Sequence, residues 1–499
     1  MGFKSFVIKP FAAFVSRGID QWKKTAVADQ DKWMLELVSA AKSTKFGQDH
    51  HFDQITDYES FKKHVPVLDY EDLKPYIEKA TKGESDVLWP GKPRYFAKTS
   101  GTTSGVKYIP ISNESMSNHI NGARGAMLNY VAKTGDASIF DGKMIFLSGS
   151  PELDQKGGVP TGRLSGIVNH EVPAWIKGNQ LPSYATNCIE DWEEKLEKII
   201  DETLKEDMRL ISGIPPWVQM YFERVLERTG KKTVLEVFPN FSLFIYGGVN
   251  FEPYRAKLEQ LIGKRINSVE LYPASEGFIA FQDDQKDSGM ILNTDSGIFY
   301  EFIPAEEYFN ENPTRLKLDQ VEVGKDYALI INNNAGLWGY SIGDLVRFTS
   351  LNPYKLVVSG RIKHFISAFG EHVIGKEVEE AMKAVAEKHS VSTIEYTVAP
   401  QVNPDSGLPY HEWLVEFATM PSDMGAFAAD LDLAMTKQNI YYEDLITGNI
   451  LRPLVITPLA ADAFRNYMKS EGKLGGQNKV PRLSNDRKIA DAMEQYRLS

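Results

Sequence analysis

Cysteine is almost absent from this sequence of 499 residues, which contains only Cys188. A lone cysteine excludes an intrachain disulfide and any zinc or iron–sulfur site built from several thiolates. Long apolar runs are also missing, since no stretch approaches the roughly 20 apolar residues that a membrane-spanning helix needs. We therefore expect a protein of a reducing, cytoplasmic compartment with no integral membrane segment.

Positive charge is not in excess either. The chain has 56 Lys and Arg against 67 Asp and Glu, a formal net charge of −11. Nucleic-acid binding relies on clustered basic residues to neutralise phosphates, so we expect no nucleic-acid partner. The first residues, MGFKSFVIKPFAAF, are interrupted by charges and proline, which disfavours a signal peptide. Phe6 stands where a myristoylation pattern requires Ser or Thr.

What the chain does contain is an alternation of strand-like and helix-like segments. Hydrophobic residues make up 42% and charged residues 25%, the balance of a globular protein with a sizeable core. Amphipathic segments predict helices over residues 20–80, 115–132 and 192–204. Apolar runs predict strands over 143–147, 209–211, 241–246, 268–272, 327–331 and 355–358. This alternation predicts an α/β fold with a large, mostly parallel sheet flanked by helices and ligands near the strand carboxyl ends.

The pattern changes after Gly360. Helices are predicted over 376–389 and 424–437, strands over 392–398 and 412–417, and the tail is rich in Gly, Lys and Arg. We therefore predict two domains, a large N-terminal one over residues 1–360 and a smaller α+β one over 361–499.

The strongest chemical signal is the segment 96–111, FAKTSGTTSGVKYIPI. Glycine allows backbone N–H groups to approach a phosphate closely, hydroxyl groups add donors, and Lys107 adds a cation. The spacing does not match the GxxxxGK[ST] pattern, and a flexible surface turn is the alternative. We interpret the segment as a phosphate-binding loop.

Three other segments are ambiguous alone. LYPASEG, 271–277, either contacts a nucleotide and a metal or is a strand end with a capping serine. Asp344 in YSIGD either accepts ribose hydroxyls or forms a turn. The basic segment 360–370 is either a functional boundary or a solvated linker.

A fourth segment, Gly370-x4-Gly375-Lys376, has the spacing of a phosphate loop. Glu377, however, occupies the position that requires Ser or Thr for magnesium, and its carboxylate would repel a phosphate. We expect a loop leading into a helix.

Taken together, the segments resemble the adenylate-forming enzymes, and more closely the Gretchen Hagen family of acyl acid amido synthetases, the auxin-responsive proteins of plants and their bacterial homologues. The resemblance spans nearly the whole chain and rests on TKFGQDHHF, VPVLDYEDLKPYIEKA, TSGTTSGVKYIPIS, SGIPPWV, LFIYGGVNFEPYRAKLEQLIG, YPASEG, YSIGD and LGGQNKVPRL. It implies that the smaller domain is mobile and alternates between two positions.

The resemblance also implies roles for single residues. Glu276 would bind Mg²⁺, Lys363 would be the hinge of the small domain, and Lys479 would reach the adenylate, with Lys473 as its rival. The residues implied to bind ATP are Thr99, Ser100, Gly101, Thr102, Thr103 and Lys107 for the phosphates, Gly247, Gly248 and Val249 for adenine, Tyr272, Pro273, Ala274 and Ser275 for the base and α-phosphate, and Asp344 with Arg361 for the ribose.

The implied reaction joins a carboxylic acid to ATP, giving an acyl-adenylate and pyrophosphate, after which an amine, in the leading interpretation an amino acid, displaces AMP. No covalent enzyme intermediate is required. The alternatives are an acyl-CoA ligase with the same first step and a non-catalytic adenylate-binding protein. Two departures from the plant members, Thr99 in place of Ser and the stretch GRIKHFISAFGEHV, leave the acceptor more open than the activation step.

The acyl pocket is the least readable part of the sequence. We expect His119 and Arg124, on the helix after the loop, and Trp217 to contact the acid. An exposed helix arginine and a core tryptophan are the alternatives for two of them. Small-molecule acid and amine substrates are the expected partners, and the chain is expected to be a monomer or weak homo-oligomer.

Overall fold

The computed structural model describes residues 3–100, 106–172, 174–189, 191–248, 251–362, 365–366, 369, 373–402, 404–448, 451–474, 479–484 and 486–498. These residues form two compact units. The large unit contains the described residues of Met1–Ile342 and Val346–Val357, and the small unit those of Gly343–Leu345, Val358–Leu474 and Asn478–Ser499. The sequence predicts a boundary between residues 360 and 361 that separates a large domain from a mobile small domain. This boundary stays a prediction.

Twelve helices lie in the described part of the large unit: α1 (Phe3–Ala41), α2 (Lys45–Asp49), α3 (Tyr58–His64), α4 (Tyr70–Thr81), α5 (Asn113–Thr134), α6 (Leu164–Glu171), α7 (Ala174–Lys177), α8 (Tyr184–Asn187), α9 (Trp192–Thr203), α10 (Pro215–Thr229), α11 (Val234–Val237) and α12 (Glu252–Ile262). The strands up to the small unit are β1 (Tyr95–Ser100), β2 (Val106–Ile111), β3 (Lys143–Phe146), β4 (Asp154–Lys156), β5 (Val159–Gly162), β6 (Gln180–Leu181), β7 (Met208–Ser212), β8 (Leu243–Gly247), β9 (Asn267–Ala274), β10 (Gly277–Gln282), β11 (Met290–Leu292), β12 (Ile298–Pro304), β13 (Asp326–Asn333), β14 (Tyr340–Leu351) and β15 (Tyr354–Arg361).

An eleven-stranded sheet organises these elements, in the order β12-β13-β14-β15-β11-β10-β9-β8-β7-β3-β6. The predicted α/β class is confirmed, and within this sheet β6, β3, β7, β8 and β9 pair in parallel. From β9 to β10, β11 and β15, and between β12 and β13, the pairs are antiparallel. A parallel pair needs a crossover, usually a helix, whereas β9 and β10 are joined by a short turn. The expectation of a mostly parallel sheet therefore holds from β6 to β9 and fails from β9 to β15 and between β12 and β13.

A second sheet, in the order β2-β1-β5-β4, lies in the same unit. In it β1 pairs antiparallel with β2 and parallel with β5, where Ala97 faces Gly162. Helix α5 follows β2 and begins at a capping box, because the Ser112 hydroxyl accepts the N–H of Ser115 while the Ser115 hydroxyl accepts the N–H of Ser112.

A buried side chain of the long helix α1, that of Gln30, makes three hydrogen bonds to the β11–β12 region of the large sheet. The amide nitrogen of Gln30 donates to the carbonyls of Thr294 and Ile298, each at 2.9 Å, and its oxygen accepts the N–H of Tyr300 at 2.8 Å. All four residues are buried. The first helix of the chain is thus part of a core formed with residues that lie 264–270 positions further along the chain.

The small unit has its own core. Its elements are β16 (Phe365–Ile366), β17 (Val373–Ile374), α13 (Gly375–His389), β18 (Ser392–Gln401), β19 (Tyr410–Thr419), α14 (Met424–Gln438), α15 (Ile440–Thr447), β20 (Val455–Leu459), α16 (Ala463–Ser470) and α17 (Lys488–Ala492). β19 lies between β18, antiparallel to it, and β20, parallel to it. The two helices and two strands predicted here are confirmed, and Trp413 and Phe427 are buried between them.

The segment with phosphate-loop spacing is the start of a helix, as expected. Gly375 opens α13, and the Glu377 carboxylate accepts the N–H of Ile374 at 2.9 Å, a helix-capping bond. Gly370 lies outside the described residues.

In the part of the chain that the structure describes, the helices are either too short or too polar to cross a bilayer.

Candidate functional site

The predicted phosphate loop joins the two strands of a hairpin. Thr99 pairs with Lys107, and Ser100 pairs with Val106, at the ends of β1 and β2. The Lys107 amino group lies 5.2 Å from the centre of the Tyr70 ring, a cation–π distance that fixes it beside the hairpin. The remaining predicted loop residues, Gly101, Thr102 and Thr103, lie outside the described residues.

The ends of β8 and β9 form a second predicted nucleotide contact. Gly247, the last residue of β8, faces Leu271, and a Cβ placed at Gly247 would lie 2.4 Å from the Leu271 carbonyl oxygen. Gly248 follows with φ +74°, a conformation that favours glycine. The backbone geometry therefore favours glycine at both positions, independently of any contact with adenine. Val249 lies outside the described residues.

The LYPASEG segment is a hairpin in which Ser275 and Glu276 make the turn between β9 and β10. Strand β9 runs two residues beyond the predicted end and includes Pro273 and Ala274. Tyr272 exposes only 7% of its surface because its ring belongs to the core, which leaves little of it for a base. Pro273 is exposed, and Ala274, Ser275 and Glu276 are half-buried.

The backbone of Glu276 is hydrogen-bonded to a more distant strand of the large sheet. Its carbonyl oxygen accepts a hydrogen bond from the side-chain nitrogen of Asn333 at 2.7 Å, which attaches the turn to β13. A carboxylate suits Mg²⁺, which is commonly bound by one or two carboxylates together with substrate phosphates. Among the described residues, no group of three His, Cys, Asp or Glu side chains forms a metal cage. The Glu276 carboxylate is of the type that binds Mg²⁺ together with phosphates, and the ion itself stays a prediction.

Asp344 lies on β14 within residues that group with the small unit, and its side chain is buried. The preceding Gly343 has φ +80°, and its carbonyl accepts the N–H of Ile362 at 2.7 Å. This hydrogen bond brings the end of β15 close to Asp344. Arg361, which is predicted to bind the ribose, is the last residue of β15. The predicted hinge residue, Lys363, lies outside the described residues.

The two candidate tail lysines have different surroundings. The Lys473 amino group forms an ion pair with Glu471 at 3.5 Å on the surface. Lys479 is exposed and lies near Glu379. Burial raises the pKa of the Glu379 carboxyl, and the charges of Arg482 and Lys479 oppose that shift. The assignment of Lys479 to the adenylate stays a prediction.

The predicted acyl-pocket residues are split between core and surface. Arg124 is exposed on α5, as in the alternative for a helix arginine. His119 is buried on the same helix, and burial lowers its pKa to about 4. Trp217 is buried at the start of α10 and packs on Trp192, with ring centres 4.8 Å apart. A contact of any of the three with the acid stays a prediction.

Sequence reasoning missed two cations in the same unit. Lys195 on α9 exposes 3% of its surface, and Arg163, directly after β5, is half-buried. Lys195 lies on the helix predicted over residues 192–204 and was not singled out from the sequence. Its spacing was the available signal, since it is three residues after Trp192 and four before Ile199, both on the apolar face.

Comparison with known proteins covers nearly the whole chain. The model of the GH3 family N-terminal domain matches residues 15–181 and 162–266, that of the central domain matches 291–361, and that of the C-terminal domain matches 376–488. An indole-3-acetic acid-amido synthetase, GH3.4 of Arabidopsis thaliana, is 24% identical over 91% of this chain and 88% of its own length. A jasmonoyl–L-amino acid synthetase, GH3.5 of Oryza sativa subsp. japonica, is 23% identical over 93% of each chain.

Solved structures show the same fold. The GH3.15 acyl acid amido synthetase superposes with a TM-score of 0.82 at 16% identity, covering 97% of this chain and 96% of its own. A 2-hydroxyisobutyryl-CoA ligase in the postadenylation state superposes with a TM-score of 0.58 at 13% identity, covering 95% and 92%.

Proposed function

The chain belongs to the GH3 (Gretchen Hagen) family, and from that membership we propose that it is an ATP-dependent acyl acid amido synthetase. The observation that carries the proposal is the match of all three family domains, in order, along residues 15–488. The relatives named as amido synthetases cover about nine-tenths of this chain. A carboxylic acid and an amino acid are the proposed substrates, and ATP and Mg²⁺ the proposed cofactors of a cytoplasmic enzyme that is monomeric or weakly associated.

In the first step a carboxylate oxygen of the acid attacks the α-phosphorus of ATP. A new oxygen–phosphorus bond forms, the bond to the bridging oxygen breaks, and pyrophosphate leaves with its electron pair. Donors that are already in place stabilise the charge that develops on the phosphates. Thr99 and Ser100 at the end of β1 and Lys107 on β2 are the described residues proposed for this role. Magnesium, when bound by Glu276, supplies further positive charge to the phosphate oxygens.

In the second step the amine nitrogen attacks the carbonyl carbon of the acyl-adenylate. The amide bond forms, AMP leaves, and the amine loses a proton. We propose that rotation of the small domain about Lys363 separates the two steps and that Lys479 serves the first. An acyl-CoA ligase shares the first step and differs only in the thiol acceptor, which is why its fold is similar.

The test is ATP–pyrophosphate exchange with magnesium, no acceptor, and a panel of aryl, indolic, short-chain and long-chain acids. Acid-dependent exchange is expected in the native enzyme, and amide formation with amino acids should follow. Glu276→Gln should reduce exchange by about 10²-fold, whereas the matched control Glu322→Gln, at a surface ion pair with Lys325, should leave it unchanged. ATP binding without exchange for any acid would favour the non-catalytic alternative, and a CoA thioester in place of an amide would favour the CoA ligase.

A further inference from the structure

Arg163 and Lys195 are two positive charges with no carboxylate partner. In the described part of the chain neither side chain forms an ion pair, and Arg163 forms no side-chain hydrogen bond at all. The Lys195 amino group donates only to the carbonyls of Ser148 at 3.0 Å and Asn187 at 2.8 Å. Partly or fully buried charges are normally paired, so two uncompensated cations in one region call for an anion.

The two cations belong to one cluster, which also contains Ser165, Asn187 and the Ser148–Gly149 backbone. A Cβ built on Gly149 would lie 3.0 Å from the Arg163 Cδ and 3.6 Å from the Ser165 hydroxyl. The carbonyl oxygen of the neighbouring residue, Ser148, accepts a hydrogen bond from the Lys195 amino group. Burial lowers the pKa of Lys195 to about 8; the Cys188 thiol opposes the shift and the positive charge of Arg163 adds to it.

Neutral groups of the same cluster also lack partners. Both amide atoms of Asn187, which exposes 1% of its surface, and the hydroxyl of Ser165 are buried without a hydrogen bond in the described residues. The indole N–H of Trp192, one turn before Lys195, is in the same state. Leaving such groups unpaired destabilises the folded protein, and a polar ligand that bonded to them would remove this destabilisation.

The cluster lies close to the proposed phosphate loop. Arg163 directly follows β5, whose Gly162 faces Ala97 of β1, so it is within about two strand spacings, roughly 10 Å, of Thr99. Gly149 comes three residues after the end of β3, and α9 carries the Trp192 that packs on Trp217. The cluster is therefore bounded by the proposed phosphate loop on one side and an aromatic wall on the other.

Building on the proposed function, we propose that this cluster binds a second carboxylate of the acyl acid, so that the substrate class is dicarboxylic acids activated at one end. The Arg163 guanidinium matches a carboxylate with two parallel N–H groups, and Asn187 and Ser165 supply further donors. The reacting carboxylate is a poor occupant, because its charge disappears when it is joined to phosphorus, and contacts with that charge would stabilise only the starting state. The distal carboxylate keeps its charge through both steps.

The first experiment measures binding without catalysis, by thermal shift of the full-length protein. The probes are adipate, suberate and 1,4-phenylenediacetate, each beside its monomethyl ester and beside inorganic phosphate. At least one diacid should raise Tm more than its half-ester does, and Arg163→Gln should abolish the difference. Arg163→Gln should also raise the Tm of the ligand-free protein by about 2 °C or more, because it removes an unpaired charge. A merely structural arginine would lower Tm when replaced.

The matched control is Arg209→Gln, at the opposite end of β7, where the guanidinium pairs with Asp207. It should leave the difference between diacid and half-ester intact. Diacids that bind no better than their half-esters, or a preference that survives in Arg163→Gln, would overturn the inference. Stabilisation by phosphate alone, lost in Arg163→Gln, would also overturn it in favour of a phosphate site.

The second experiment compares pyrophosphate exchange for each diacid and its half-ester. The ratio of kcat/KM should exceed about 10-fold in the native enzyme and approach 1 in Arg163→Gln, with the loss in KM, since charged hydrogen bonds of this kind contribute roughly 10- to 100-fold. A ratio near 1 in the native enzyme contradicts the inference. No exchange with any acid would refute the proposed function, while the binding result would still decide whether the cluster takes a carboxylate.

Discussion

His119 has only 4% of its surface exposed, and burial lowers its pKa to about 4. An imidazole with such a pKa is uncharged at neutral pH. His119 can therefore donate or accept a hydrogen bond to a substrate but cannot pair with a carboxylate as a cation, which restricts the role that the sequence predicted for it.

The same pKa makes stability depend on pH. His119 binds a proton near pH 6.5 in the unfolded chain and only near pH 4 in the folded protein. Protonation therefore favours the unfolded chain, so the contribution of the neutral His119 to the free energy of unfolding is fully present above pH 6.5 and is lost as the pH falls. Between pH 7 and pH 5 this amounts to about 2 kcal/mol. Urea unfolding at both values should show that His119→Gln loses that much less stability than the native protein. Equal losses would contradict the burial of a neutral imidazole, and the exposed His170, replaced by Gln, is the control.

Asp344 gives a second prediction at this scale. If its buried carboxylate accepts the ribose hydroxyls, Asp344→Ala should weaken ATP binding by about 1–3 kcal/mol, measured by isothermal titration calorimetry. Asp319→Ala, at an exposed turn, should leave the affinity unchanged. An unaltered affinity in Asp344→Ala would remove this residue from the nucleotide site.

Sequence reasoning succeeded for residues whose role follows from the adjacent residues in the chain. It failed for residues whose environment is formed by distant parts of the chain. Glu377 was recognised as unsuitable for a phosphate from its own position, and it caps a helix. The helical spacing of Lys195 indicated the buried face, but the carbonyls that bond to its amino group, those of Ser148 and Asn187, lie elsewhere in the chain and could not be foreseen.

Among the elements, α1 contacts the β11–β12 region through the buried amide of Gln30, in addition to an exposed hydrogen bond from the Trp33 indole to Asp295. Gln30→Leu would leave two carbonyls and one N–H without partners, so we expect a loss of about 3 kcal/mol in the free energy of unfolding. Denaturant unfolding measures the loss, and Lys32→Leu on the exposed side of the same helix is the matched control. A Gln30→Leu protein as stable as the control would show that α1 is anchored by other contacts.

The strands were predicted well in position and poorly in direction. All six apolar runs predicted before Gly360 overlap strands of the large sheet, because a run of apolar residues between turns is a local signal. Direction is set by the connections. The Ser275–Glu276 turn reverses the chain after β9. The apolar run 268–272 does not itself indicate that reversal.

At the scale of the whole molecule, the division into two compact units underlies the proposed alternation. Lys479→Ala should reduce pyrophosphate exchange by at least about 10²-fold and should affect amide formation from a supplied acyl-adenylate much less. Lys473→Ala, at the surface pair with Glu471, is the matched control. Equal losses in both half-reactions for Lys479→Ala would contradict a lysine that serves only the first step.

The bonds of Gln30 also determine when the chain can finish folding. Its nearest partner, the Thr294 carbonyl, is 264 residues further along the chain. At roughly 5–20 residues per second, a ribosome needs about 13–53 s to synthesise that interval. Throughout this time the Gln30 side chain has no native partner on the sheet, so α1 can complete its packing only after the β11–β12 region has been synthesised.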